Sequence, residues 1–167
     1  EAALNGVDWA AFRGVRAAAI AINDKTRPVP HVHLLPPLLR RLEGLGLPPD
    51  AIQLIIAAGA HPPMLPAEYA RVVPADVLAR YPVLCHDCDD QAGLQYRGQT
   101  GRGTPIWVNR RFAAADLRIV VGDIEPHQFQ GFSGGVKSAA IGLRLPPVGR
   151  RRPGAPSRAG PRPPGFR

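Results

Sequence analysis

Val15-Arg-Ala-Ala-Ala-Ile-Ala-Ile22, running straight into Asn23-Asp24, is mostly apolar at odd and even positions alike. Successive side chains of a strand point to opposite faces, so a half-exposed strand alternates apolar with polar residues. A run without a polar face reads instead as a strand buried on both sides and entering a loop. Ile52-Gln-Leu-Ile-Ile-Ala-Ala58 repeats the pattern and stops at Gly59. Between the two, His31–Gly44 carries Leu34, Leu35, Leu38, Leu39 and Leu42 at helical spacing, with Gly44 and Gly46 as stop signals. Pro36 and Pro37 fall near its start, where a missing N–H costs least. Pro66–Arg80 reads as helical with a break at Pro74, and Pro82–Cys85 as a short third strand. Ile106–Val108 and Leu117–Val121 read as further strands, and a helix opens near Val136. Strands apolar on both faces, alternating with helices, predict an α/β fold: a mainly parallel sheet with helices on both faces, of Rossmann-like type. There is no internal repeat.

The formal net charge of +8 invites a nucleic-acid reading until the charge is located. Residues 144–167 hold seven arginines (Arg144, Arg150, Arg151, Arg152, Arg158, Arg162 and Arg167) and no acid. Without them, fourteen basic residues face thirteen acidic ones in residues 1–143. The body is close to neutral, so no basic face is implied and no specific nucleic-acid partner is expected. The same tail holds seven of the 20 prolines and four of the 18 glycines. Two readings of it are open: a disordered basic arm for RNA or an acidic partner, or the Arg, Pro, Gly and Ala that GC-rich DNA encodes when read out of frame. The second is favoured, because the change is abrupt and cuts into a helix just begun at Ser138–Ile141. The expected organisation is an incomplete domain over 1–143 and a disordered tail over 144–167.

Glu1 is not an initiator Met, and no charged-then-apolar signal segment follows it, so this end is also expected to be a cut. No apolar run approaches the roughly 20 residues needed to cross a bilayer, and no membrane partner is expected. Two cysteines, Cys85 and Cys88, do not make a disulfide framework, and a reducing cytoplasm is the expected setting.

The densest polar clusters all follow strands: Asn23–Arg27, Gly59–Pro63, His86–Asp90 and Asp123–Lys137. In an open parallel sheet the carboxyl ends of the strands share one edge, which is where ligands bind. The loops at 23–30, 59–63 and 122–137 are therefore expected to converge on one site.

Several residues in these loops suit chemistry. His61, between Gly59 and Pro62-Pro63, and His127, in Glu125-Pro-His127, lie in stiff loops. Two imidazoles at one sheet edge read as an acid/base pair, since they titrate near neutral pH. The fork of Arg27 suits a carboxylate, and the bland alternative is an ion pair with Asp24. Ser133-Gly-Gly-Val-Lys137 opens a helix after a glycine-rich turn, a place where N–H groups and the helix dipole favour a phosphate. It does not fit the G-x-x-x-x-G-K-[ST] template, and a tight turn with a solvated Lys137 stands equally open. His31 and His33 are read as capping or facing solvent at a helix start. Cys85-His-Asp-Cys88 lacks the second pair that a metal site of this kind wants and ends a strand instead of starting a helix, so packing is the favoured reading.

Asn23-Asp-Lys-Thr-Arg-Pro28, Ala58-Gly-Ala-His61-x-Pro63 and Ile124-Glu-Pro-His-x-Phe-x-Gly-Phe-Ser-Gly-Gly-x-Lys137 follow one another in an order and spacing that resemble the N-terminal domain of the nickel-dependent lactate racemase family. The resemblance runs over nearly all of residues 10–143. It implies a tethered nickel-pincer nucleotide, a pyridinium mononucleotide whose two sulfurs and ring carbon hold nickel, and cofactor-synthesis enzymes as partners. Lys137 would carry the thioamide link, and His61 and His127 would be the acid/base residues on opposite faces of a small 2-hydroxy acid. Arg27 would clamp the substrate carboxylate, and Asp24 and Thr26 would lie against cofactor or loop. Ser133, Gly134 and Gly135 would meet the nucleotide phosphate. In the implied reaction one histidine takes the hydroxyl proton as hydride leaves the alpha carbon, and the planar keto acid takes hydride back on either face. No nickel ligand is expected within this chain, since the family's ligand histidine lies downstream of the lysine, where the Arg/Pro tail stands. Pro62 occupies a position where such enzymes commonly carry Arg. The other reading of the chain is a binding domain that holds a phosphate or nucleotide at Ser133–Val136 without turnover.

Overall fold

In the computed structural model, which describes residues 4–127 and 131–144, the opening apolar run becomes a five-residue strand, β1 (Ala18–Ile22), with every side chain buried. Val15 to Ala17, expected in the strand, stay outside it because Asp116 Oδ2 accepts the N–H of Arg16 at 2.8 Å and that of Ala17 at 3.3 Å. The next helix, α1 (His31–Gly44), covers the predicted residues and buries Leu35, Leu38, Leu39 and Leu42. Leu34, counted with them from its spacing, is instead exposed. Pro36 and Pro37 lie inside the helix, one turn beyond the positions where a missing N–H is free, so α1 depends on its buried leucines rather than on a full ladder.

β2 (Ile52–Ile56) follows, then a 3-10 segment over Pro66–Arg71 and α2 (Ala75–Arg80), the two separated just before Pro74 as expected. β3 (Val83–Cys85) completes one side of a four-stranded sheet. The chain then leaves the sheet for an antiparallel hairpin, β4 (Leu94–Gln99) and β5 (Pro105–Asn109), and returns through α3 (Arg110–Ala114) to β6 (Leu117–Val121). A two-residue pair, β7 (Pro126–His127) with β8 (Gly131–Phe132), and α4 (Val136–Ala140) end the described part.

The main sheet runs β3-β2-β1-β6 and every neighbouring pair in it is parallel. Ala18 lies opposite both Ile52 and Leu117, and Ile22 opposite both Ile56 and Val121, so β2, β1 and β6 end level. Alternate residues feed two separate cores, as a sheet covered on both faces requires. Ala18, Ile20, Ile22, Leu54 and Ile56 pack with the leucines of α1 and Val77 of α2. Ala19, Ala21 and Ile55 pack on the opposite face with Phe112 of α3, Leu143 and the partly buried Ala139 of α4.

The hairpin departs from the sequence reading. Ile106–Val108 forms a strand, but it pairs with Leu94–Gln99, a strand not anticipated, and it stands outside the parallel sheet. Gly98, at φ +105°, and a register irregularity between Tyr96 and Gln99 break the alternation that would have marked β4. Residues 142–144 are stitched into the fold. Gly59 N–H donates to Gly142 O and Asn109 N–H to Leu143 O, both at 2.8 Å, and Arg144 bridges to Val108. Arg144, placed with the tail by its composition, is thus part of the folded body, and the remainder of the expected disordered tail lies outside the described residues. No helix among the described residues is long and apolar enough to cross a membrane.

Candidate active site

Because β1, β2 and β6 are neighbours and end level, the loops that follow them meet. They enclose an open cavity of about 290 Å³, the lower end of what small-molecule sites occupy. The first loop contributes Asn23, Asp24, Thr26 and Arg27, the second Ala58 to His61, and the third His127, Ser133, Gly134 and Lys137. Gly135 does not line it, and neither does any of His86–Asp90. That last cluster follows the outer strand β3. His86 is buried there, its Nδ1 at 3.3 Å from the Asn109 amide and its Nε2 at 3.4 Å from Arg144 O.

Asp24 is 5% exposed and divides its oxygens between two donors. Oδ1 accepts the N–H of Thr26 at 3.0 Å and also its hydroxyl, while Oδ2 lies 2.8 Å from His61 Nδ1. Burial pushes the Asp24 carboxyl up, but the bonds from His61 and Thr26 together outweigh it and hold it below the usual carboxylate range. A carboxylate can only accept, so Nδ1 carries a proton and Nε2 is the ring nitrogen on the far side. His61, with 59% of its side chain exposed, is thereby held in one ring orientation at the cavity wall.

Arg27 makes an ion pair, though not with Asp24. Its Nη1 lies 2.8 Å from Glu125 Oε2, with both side chains more than a third exposed. The pair ties the first loop to the third. Glu125 N–H donates to Ser133 Oγ at 2.8 Å, Ser133 Oγ donates to Asp123 O at 3.3 Å, and Ser133 N–H donates to Glu125 O at 2.8 Å. Ser133 therefore cinches this loop, while the β7–β8 pair sets His127 opposite Gly131.

Lys137 follows a turn that only glycine can make. At Gly134, φ +76°, a Cβ would stand 2.2 Å from Asp123 O. The Lys137 amine is lowered from its usual value by burial first, then by the charge of Arg27, with Asp123 opposing. α4 has five residues, so its dipole lends little to a phosphate.

His31 does not cap or face solvent. It is 3% exposed, and its Nδ1 donates to Val72 O at 2.8 Å, clamping α1 to the segment before α2. His33 is exposed as expected. Cys85 Sγ accepts the N–H of Met64 at 3.2 Å, and Cys88 is buried, as packing would have it. Among the described residues one group could hold a metal ion, Asp87, Cys88 and Asp89, away from the cavity. The Asp24–His61 dyad and the Asn23–Asp123 bond at 2.9 Å escaped the sequence reading because their partners stand 37 and 100 residues apart.

The chain is a parallel α/β domain that gathers a carboxylate-oriented histidine, a second histidine, an arginine and a lysine at the carboxyl edge of its sheet. The model of the lactate racemase N-terminal domain matches residues 9–144, and the chain belongs to that family. It is 37% identical over 132 residues to a lactate racemase of Lactiplantibacillus plantarum, covering 78% of this chain and 31% of that protein. It is 31% identical over 130 residues to a lactate racemase of Thermoanaerobacterium thermosaccharolyticum, covering 78% and 30%. The solved lactate racemase apoprotein of the latter organism superposes with a TM-score of 0.73 at 31% identity, over 79% of this chain and 31% of that one. A Thermotoga maritima crystal structure gives 0.61 at 26% identity, over 78% and 34%. The chain thus spans about a third of the length of the curated relatives it matches.

Proposed function

We propose that the chain supplies the proton-handling, cofactor-bearing part of a racemase or epimerase acting on a small 2-hydroxy acid such as lactate. The observation that carries this reading is the convergence of His61, His127, Arg27 and Lys137 from three distant loops on one cavity. Arg27, already holding one carboxylate in Glu125, has the geometry and exposure to exchange it for that of the substrate. His61, its Nδ1 fixed by Asp24, holds or releases the hydroxyl proton at Nε2. His127, on the third loop, does the same from the other side, so that either enantiomer finds a base.

The cavity fits a nucleotide-type cofactor joined through Lys137. Lys137 lines the cavity, and Gly134 lets the turn that precedes it lie against Asp123 O. Asp24 and Thr26 lie beside it; Ser133, Gly134 and Gly135 form the turn. A nickel-pincer nucleotide held at Lys137 would supply reversible hydride acceptance at the alpha carbon. Among the described residues no cluster of metal-ligating side chains lines the cavity. The enzymes that make this cofactor would be partners, and the cytoplasm the setting.

The test is to produce the chain together with cofactor-making enzymes and measure its intact mass. A nickel-containing adduct that maps to Lys137 is expected. A folded chain with Lys137 unmodified, while a complete relative in the same cells is loaded, would overturn the assignment.

A further inference from the structure

Asp123, just beyond β6, is tied to Asn23, just beyond β1, whose Nδ2 donates to Asp123 Oδ1 at 2.9 Å. The other oxygen of each, Asp123 Oδ2 and Asn23 Oδ1, is buried and accepts no hydrogen bond among the described residues. Buried acceptors without donors are costly, and more so when one belongs to a carboxylate. A flexible group with several N–H donors would serve both.

The Gly134 turn lies directly against Asp123 O, Ser133 Oγ donates to that same carbonyl, and Lys137 N–H donates to Gly134 O at 3.2 Å. Lys137 and Asn23 line the same cavity. Lys137 stands one turn beyond the Gly134 that lies against Asp123 O, and its ammonium, on a four-carbon stem, carries three donors for the two acceptors. The other lysine, Lys25, is paired with Glu68, and Arg27 is engaged by Glu125.

We propose that in the unmodified chain Asp123 Oδ2 and Asn23 Oδ1 hold the Lys137 ammonium, a positioning site that keeps the amine charged and unreactive until a ligand displaces it. The charged and titratable groups around the amine and Asp123 are Arg27 with Glu125, Asp24 with His61, His127, and the buried His31, whose ring feels the Asp123 charge and whose lowered pKa keeps it neutral and leaves no second proton to give. In the placement seen here burial and Arg27 prevail over Asp123; seating the ammonium on Asp123 reverses that order. The proposal deepens the reading of Lys137 as an attachment point, but it concerns the chain without cofactor, so its failure and the failure of that reading are separate results.

The experiment is trace labelling of the 167-residue chain with acetic anhydride over a pH series from neutral to strongly alkaline, with peptide mass spectrometry following Lys25 and Lys137. The labelling midpoint of Lys137 is expected at or above that of Lys25. Asp123→Asn should lower it by at least about half a pKa unit, which raises labelling near neutral pH about threefold. Lys25 should not change, and Asp123→Glu should restore slow labelling. A native Lys137 midpoint well below that of Lys25, or a midpoint unmoved in folded Asp123→Asn, overturns the proposal. Should that variant not fold, the comparison of the two lysines in the native chain decides alone.

Discussion

A carboxylate that assigns its two oxygens to different donors cannot be replaced by its amide without disturbing one of them. Asp24 gives Oδ1 to Thr26 and Oδ2 to His61. Asp24→Asn keeps the Thr26 bonds with its carbonyl and then turns an NH2 toward His61 Nδ1, which must become the acceptor. The expected outcome is a switch of neutral His61 to the Nε2–H tautomer, read from nitrogen NMR shifts. Made at the matching position of a full-length lactate racemase relative, the substitution should lower turnover by at least roughly a hundredfold, the scale of a lost general base. His61→Ala and His127→Ala should each lose as much there; near-normal rates in either variant would make that histidine a structural loop residue. The pH dependence follows from the sign of the Asp24 shift. Its folded carboxyl lies below the ordinary 3.8, so the stability it contributes is complete above that value and is lost as pH falls through the lower folded one.

At the scale of elements, the Gly134 turn and α1 make contrasting cases. Gly134→Ala meets both a positive φ of 76° and a Cβ contact of 2.2 Å with Asp123 O, whereas Gly135, at φ 52°, opens on space. Alanine at 134 should cost about 2–3 kcal/mol or more, alanine at 135 about 1–2, compared by chemical unfolding. Equal costs would show that the 122–137 loop yields to the clash. For α1, burial first of all lowers the His31 pKa from its ordinary 6.5, against the pull of Val72 O and Asp123. The neutral ring's contribution is therefore full above that value and shrinks as pH drops below it. The melting temperature should fall from mildly alkaline to mildly acidic pH, and His31→Gln should flatten that slope. These elements also mark what the sequence discloses. Apolar runs without alternation announce β1 and β2 because burial on both faces leaves a local trace. β4 leaves none, since Gly98 and exposed Arg97 interrupt its period. The burial of His31 is set by Val72, 41 residues away, and no local pattern carries it.

Across the whole molecule, the two faces of the sheet depend on different stretches of chain. The first is filled mostly by residues up to Tyr81 with Leu117 of β6, while the second relies on Phe112 and on Leu143, near the end of the described part. Leu143 is fully buried and flanked by the backbone bonds that fasten Gly59 and Asn109. Leu143→Ala should cost about 2–5 kcal/mol, a large share of a small domain's stability, and should loosen the His61 loop along with the core. Hydrogen exchange at Gly59, compared with the native chain, checks both at once; protection left unchanged would separate the core from the loop. The convergence of loops at the sheet edge was legible because parallel topology dictates it, but which carboxylate would meet which histidine was not, since that pairing is decided only on assembly.

The level ends of β1, β2 and β6 carry one more consequence. His61, Arg27 and Lys137 belong to loops whose strands meet only when Ile22 stands opposite Ile56 and Val121 together. A partly assembled chain, with two strands zipped and the third astray, has lost one wall of the cavity outright. Whatever recognises all three loops at once is therefore an inspector of finished goods, able to tell a mature chain from an immature one without touching its core.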